Sequence, residues 1–308
     1  MNEHRPPAAA ILVVPLVVAI VLALFAWPSS RLEPRDLPVG VAGVPAAADA
    51  LERQLGTREG AFDVHRYAGE PEAREAIEDR DVYGAFVATP SGPKVLTSSA
   101  ASPAVSQLLV RAAAEQDASV EDVVATPAAG SGLGSSVLPL VLAGILTGAL
   151  AARAVSSGLA RAGLTLAGSV LAGLAAALVA DSWLGIVEGD WLVNAVAFAL
   201  TLLAIASAMA GLYALFGAGG LAGGALLMVL VGNPFSAAAT APELLPEPVG
   251  GLGQLLPPGA GANLLRSTGF FDGAGGAEHV AVLAAWALAG FAALALTDLS
   301  SRRATVAA

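Results

Sequence analysis

Six apolar runs leave this chain little choice of architecture. They cover residues 11–27, 137–152, 162–180, 191–216, 221–231 and 279–297. A helix needs about 20 predominantly apolar residues to cross a bilayer core, where every backbone N–H and C=O must be bonded within the segment. The run 221–231 is short, and the Gly-Ala-Gly-Gly before it is read as its start. At 56% hydrophobic residues and a mean hydropathy of +0.72 the chain lies far from soluble domains. The expectation is a polytopic α-helical membrane protein of six transmembrane helices, with an α/β domain inserted between the first and second.

One long stretch between the last two runs cannot be a span. Residues 233–276 are cut into short pieces by proline and glycine, with apolar patches at 252–256 and 263–271. Each patch is about one to two helical turns. Such pieces dip into a leaflet as broken helices where protein or a water-filled cavity covers their backbone. The other reading is an ordinary ordered external loop, uncommon at this length. As a re-entrant gate element, the candidate residues are Asn233, Pro234, Phe235, Pro257, Pro258, Gly259 and Arg266.

Residues 28–135 have a different character and read as a soluble domain. Residues 37–43 and the alternating 61–67 read as strands, and 82–89 as a buried strand. A fourth is expected over 94–97 after a Pro-Ser-Gly-Pro turn, and a last over 120–125. Helices are expected over 46–55, over 71–80 opened by Pro71, and from the Ser102 cap and Pro103 to about Gln116. Alternating strands and helices imply a small mixed sheet covered by helices, and roughly 100 residues suffice for a core of its own. Residues 130–136, rich in glycine and serine, read as a linker back to the membrane.

Charge sets the orientation. With 1–10 cytoplasmic, the inner segments hold Arg5, Arg153, Arg161, Arg302 and Arg303. The short outer loops hold Asp181, Glu188, Asp190, Glu243, Glu247, Asp272 and Glu278 against Arg266 alone. This positive-inside pattern puts both termini (1–10 and 299–308) in the cytoplasm of a plasma-membrane protein and the α/β domain outside. The first run, 11–27, is read as a signal anchor rather than a cleaved signal peptide, because it is long and no A-x-A site follows before Pro28. Pro15 in its first turns is tolerable there.

The same residues exclude much chemistry. There is no cysteine, so disulfides and thiolate sites are ruled out. Residues 28–135 carry 16 Asp and Glu against 9 Lys and Arg, a balance of −7, which argues against nucleic acid as a partner. No ionisable residue lies in the middle of a run, which counts against proton coupling. No G-x-x-x-x-G-K-[ST] motif occurs. His65 beside Asp63 and Arg66 reads as a solvent-facing strand histidine. The acids from Glu70 to Asp81, interleaved with Arg74 and Arg80, read as a solvated helix face. Asn194 and Tyr213 read as helix–helix hydrogen-bonding groups. The acidic loop 181–190 reads as an external loop or, less simply, a cation site. Ser98, Ser99 and Ser102 have no histidine for a triad. No enzyme, cofactor or metal site is expected. The small-residue pairs Gly144/Gly148, Ser169/Gly173, Ser207/Gly211 and Gly220/Gly224 suit a tight bundle or a dimer face.

One span, an outer domain, then five spans with a broken stretch before the last: this order resembles the ABC-2 type exporter permeases. It looks closest to their relatives around the phage infection protein (YhgE/Pip) family. The carriers are Asn233-Pro234-Phe235 after the fifth run and LPPGAGANLLRSTGFFDGAG over 256–275. The resemblance implies re-entrant external helices at 233–278 and a permease half in the lipid bilayer, forming a homodimer or pairing with a related permease. It also implies a separate ABC ATPase subunit driving export of an apolar or amphipathic compound. The alternative is a membrane-anchored scaffold or binding protein acting through its extracytoplasmic domain. The short connection between Arg153 and Arg161, one or two turns at most, and the ten residues before the first run leave little inner surface for a motor.

Overall fold

Beside the membrane helices stands a five-stranded sheet, built from the segments whose side chains alternate or cap. The structure is a computed structural model and describes residues 8–130 and 132–307. Arg5 lies outside the described residues, and so do the side chains of Arg302 and Arg303. Helix α1 (Ala8–Ser29) leads in. Then come β1 (Leu37–Gly43), α2 (Pro45–Gly56), β2 (Phe62–Tyr67), α3 (Glu70–Glu78), β3 (Gly84–Thr89), β4 (Gly92–Thr97), α4 (Pro103–Ala114) and β5 (Ser119–Asp122). The sheet order is β2-β1-β3-β4-β5. Only the β3–β4 hairpin is antiparallel.

The β1–α2–β2 and β2–α3–β3 crossovers run in opposite directions along the sheet, so right-handed connections put α2 and α3 on opposite faces. On one face Leu51, Leu55, Val105 and Leu109 from α2 and α4 pack on Val39, Phe86 and Val95. On the other Ala73, Ala76 and Ile77 of α3 pack on Ala42, Ala85, Val87 and Leu96. Leu37, Ile77, Leu96 and Leu109 are fully buried, each contributing about 1.5–3 kcal/mol. The Ser102 hydroxyl accepts from the Val105 N–H and starts α4. Expected element ends shift by a few residues; β4 begins at Gly92 because Pro93 pairs with Ala88 across the hairpin.

One corner of the sheet is tied by charge. Lys94 Nζ lies 2.6 Å from Glu70 Oε1 and 2.7 Å from Glu121 Oε2, and Arg74 Nη2 lies 2.7 Å from Glu121 Oε1. Hydrogen bonds from Lys94 hold the Glu70 and Glu121 carboxyls below the ordinary 4.5. Their contribution is therefore complete above that value and is lost as pH falls through the lower folded values. Amide exchange across 119–122, corrected for its intrinsic pH dependence, should stay slow at neutral pH and accelerate below 4.5. Equal acid sensitivity at the opposite edge, β2, would remove the role of this network.

Among the described residues, four helices are long and apolar enough to cross a membrane: Gly132–Ala154, Gly158–Trp183, Trp191–Gly232 and Ala277–Leu299. They comprise α5 (Gly132–Ala154), α6 (Gly158–Ala177) and α7 (Trp191–Leu226), the last two continued by π-helical turns, and the start of α10 (Ala277–Ala307). The expected linker at 130–136 is a correction, since helix starts at Gly132. Ser135 and Ser136 donate to the Gly132 carbonyl, and Gly132 and Gly134 pack closely against Ile186 and Ala239.

The third long helix is not one rod. Gly217 takes φ 62° and ψ −146°, a region open to glycine alone. There the chain doubles back: a Cβ on Gly224 would stand 2.6 Å from Met209 Cε. Residues fifteen apart in a straight helix would be about 22 Å apart. Met209 and Met228 meet in one apolar cluster between the two arms, and α1 leans on the end of the second arm at Leu227–Gly232.

The first arm of α7 is the axis of the bundle, and α5, α6 and α10 surround it. All four small-residue pairs pack within the chain. Gly144 and Gly148 seat α5 on Ile205 and Met209, Gly173 seats α6 on Ala199, and Ser207 and Gly211 receive Gly290 of α10. Gly220 and Gly224 close the Gly217 turn. The side chains left exposed around the bundle are apolar, among them Val14, Leu16, Leu146, Leu171 and Leu288.

The broken stretch folds into a 3₁₀ turn (Pro242–Leu244), α8 (Val249–Gln254) and α9 (Pro257–Phe270). The helical patches expected at 252–256 and 263–271 are thus corrected. The Pro257–Pro258 pair starts a helix, because proline at the first helical position lacks only an N–H that has no helical partner anyway.

Candidate functional site between the domain and helix α9

Helix α9 is enclosed on every side. From Pro257 to Gly269 each residue is buried, against α7, α10, α5 and α8. A 14-residue helix so placed can carry polar side chains only if each finds a partner. Its two large polar groups, Asn263 (4% exposed) and Arg266 (3%), define the site.

Asn263 is the hub. Its Nδ2 donates to Gln254 Oε1 (2.6 Å), and Gln254 Nε2 donates to the Ser236 carbonyl (3.2 Å). Its Oδ1 accepts from Arg266 Nη1 (2.7 Å) and from Arg80 Nη2 (3.3 Å). Arg266 Nη2 reaches the Ala238 carbonyl (2.8 Å), and Arg80 Nη1 reaches the Asn263 carbonyl (3.3 Å). Two guanidiniums thus converge on one neutral amide, and neither has a carboxylate in ion-pair range among the described residues.

Arg80 comes from the α/β domain. It follows α3 at φ 65°, where a non-glycine residue is uncommon, and its guanidinium stacks 5.3 Å from the Phe271 ring centre. Burial lowers its pKa, opposed by the charges near Tyr83, Glu278 and Glu243. The reading of Arg80 as part of a solvated helix face is therefore corrected; the left-handed turn after Asp79 swings it out of that face. Tyr83 donates to Glu243 Oε2 (2.9 Å), and burial pushes its pKa up. Backbone bonds from Glu33 to Leu244 and from Arg35 to Glu243 complete the seam.

The sequence-derived candidates meet here. Phe235 N–H bonds the Val231 carbonyl, Pro234 follows the π turn, and the Asn233 carbonyl accepts from Ser236. A Cβ on Gly253 would overlap the Phe235 carbonyl oxygen, and one on Gly259 would overlap that of Gly253. Pro258 fills the space that a side chain at Gly232 would need (2.7 Å). Pro257 sits beside it, buried at the first turn. Arg80, Tyr83, Gln254, Asn263 and His279 were not among the site residues expected from the sequence. Gln254 and Asn263 carried a signal, two amides in an apolar stretch; Arg80 carried none.

The other residues considered have plain partners. His65 Nε2 lies 3.1 Å from Asp63 Oδ2 on the exposed edge strand. Asn194 Nδ2 donates to the Glu188 carbonyl (2.6 Å) and Asp181 (3.3 Å), and Asp190 caps α7. Arg161 lies over the Tyr213 ring at 5.8 Å.

A cleft of about 690 Å³ opens along the seam. Arg80, Asn263 and His279 line its inner part, and Asp36, Asp81, Glu247 and Glu278 its mouth. No group of three His, Asp or Glu residues able to hold a metal occurs among the described residues. No family model, curated protein or solved structure matches this chain.

Proposed function

We propose that the chain is an ABC-2 type permease-like membrane subunit with six spans, exporting an apolar or amphipathic compound with the help of a separate ATPase chain. The observation that carries this reading is α9, a short helix enclosed by the bundle and gripped by an arginine of the α/β domain. A domain movement would displace α9 directly, which is what a gate requires. In support of six spans, the Gly217 turn divides α7 into two arms, and α1 is apolar along its described length. In support of an outer domain and inner termini, Arg153 and Arg161 flank the α5–α6 connection, while Asp181, Glu188, Asp190, Glu243, Glu247, Asp272 and Glu278 cluster at the other connections.

One observation favours the scaffold reading instead. The α5–α6 connection is only residues 155–157, too short to dock a motor by itself. Co-purification from mild detergent decides between the two. An ATPase at near-equal amount supports export, and its reproducible absence leaves the scaffold. The chain has no cysteine, so topology is tested by placing one. Gly69→Cys is expected to react with an impermeant maleimide in intact cells and Ser157→Cys to stay silent; the opposite pattern inverts the topology.

A further inference from the structure

The cleft on the seam has a charge layout that selects a ligand. Its inner wall is cationic and underused. Arg80 makes both its hydrogen bonds at 3.3 Å, long beside the roughly 2.7–2.9 Å of charge-assisted bonds. His279 is buried (6% exposed), and its ring makes no hydrogen bond among the described residues; its nearest carboxylate oxygen, Glu278 Oε1, is 3.6 Å away. Both groups face the cleft. Arg80 is only partly buried and spends its donors on two long bonds, and the His279 ring has no hydrogen bond among the described residues, so this wall has donor capacity left for an anion that arrives from outside the chain.

The mouth has the opposite sign. Asp36, Asp81, Glu247 and Glu278 are exposed around it, and Arg35 in the same lining is taken up by Glu33 and the Leu244 carbonyl. A purely anionic ligand would meet four carboxylates on entry, and a purely cationic one would stop at the mouth and leave the wall unmatched. Leu252 (50% exposed) and Leu255 (58%) line the same cleft beside Trp286, whose indole N–H bonds the Leu255 carbonyl. They give it an apolar side. The volume lies within the roughly 300–1,000 Å³ of small-molecule sites.

We infer that this cleft binds an amphiphile with a zwitterionic headgroup, its phosphoryl group against Arg80, His279 and Asn263, its ammonium among the mouth carboxylates, and its chain along Leu252 and Leu255. This deepens the export reading by naming a substrate class, but its test needs no motor. Purified full-length chain in a non-ionic detergent is titrated by native mass spectrometry with three probes of one chain length: hexadecylphosphoethanolamine, hexadecyl phosphate and hexadecylamine. The zwitterion should bind at least about tenfold tighter than either probe carrying charge of one sign, as expected when two complementary charge pairs form.

Arg80→Gln should reduce the zwitterion to the level of hexadecylamine. The double variant Glu247→Gln/Glu278→Gln should reduce it to the level of hexadecyl phosphate; both positions are exposed, so the fold is kept. Asn263→Asp, which gives Arg80 an internal carboxylate, should weaken both phosphate-bearing probes and leave hexadecylamine unchanged, and it serves if Arg80→Gln fails to fold. Equal affinity for the three probes, or a preference unchanged in the Glu247/Glu278 and Asn263 variants, overturns the inference. Selective binding by a chain that co-purifies with no ATPase would keep the inference and remove export.

Discussion

Replacing Asn263 with leucine should be among the most damaging single changes in this protein, at about 3–5 kcal/mol. The two side chains are close in size, so the loss is not a cavity. Asn263 Oδ1 is the shared acceptor of Arg80 and Arg266, and Nδ2 holds Gln254. Leucine removes the acceptor the two guanidiniums share, leaving Arg266 the Ala238 carbonyl alone and partly buried Arg80 the residue-263 carbonyl alone, and a desolvated charge short of acceptors is a costly defect. The paired variant is Asn263→Asp, which keeps the acceptor and adds the carboxylate both arginines lack. It should match or exceed the parent protein in thermal unfolding measured in detergent. If leucine is tolerated, or if aspartate is as harmful as leucine, the convergence of charge on Asn263 is not what holds the seam together.

The second large effect is expected at Gly253. A Cβ there would overlap the Phe235 carbonyl oxygen, and backbone cannot yield as a flexible side-chain tip can. Gly253→Ala should therefore part α8 from the Asn233–Phe235 segment at a cost of about 3 kcal/mol. Its control lies in the same helix. Gly251 has nothing within 4 Å of its would-be Cβ, so Gly251→Ala should gain up to about 1 kcal/mol from helix propensity. Opposite shifts in unfolding temperature for two alanines two positions apart are the expected signature. A common direction would mean that α8 responds to propensity alone.

What could be read from the sequence was what local physics decides. Strands β1 and β2 show in the alternation of 61–67 and in the glycine after Leu37–Ala42, and α4 shows in Ser102-Pro103, because a cap and a proline act on their own neighbours. The break at Gly217 lay in a visible Gly-Ala-Gly-Gly. The start of α5 did not show, since its glycines and serines also describe a linker; in the fold they pack against Ile186 and Ala239. The gate candidates were found through their prolines and glycines. Their electrostatic partner was not, because Arg80 stands 183 residues from Asn263, and its side chain is turned inward by one left-handed residue that no local pattern announces.

The backbone bonds from Glu33 and Arg35 to Leu244 and Glu243 give the α/β domain a load path separate from its covalent tethers. Tension on the domain would run through Arg80 into α9 and through Tyr83 into the Pro242–Leu244 turn, as well as through the tethers at α1 and α5. Because α9 touches α5, α7 and α10 together, that tension would be divided among three helices at once. The helix is thus to the bundle what a keystone is to an arch: the part through which a push from above becomes a spreading force below.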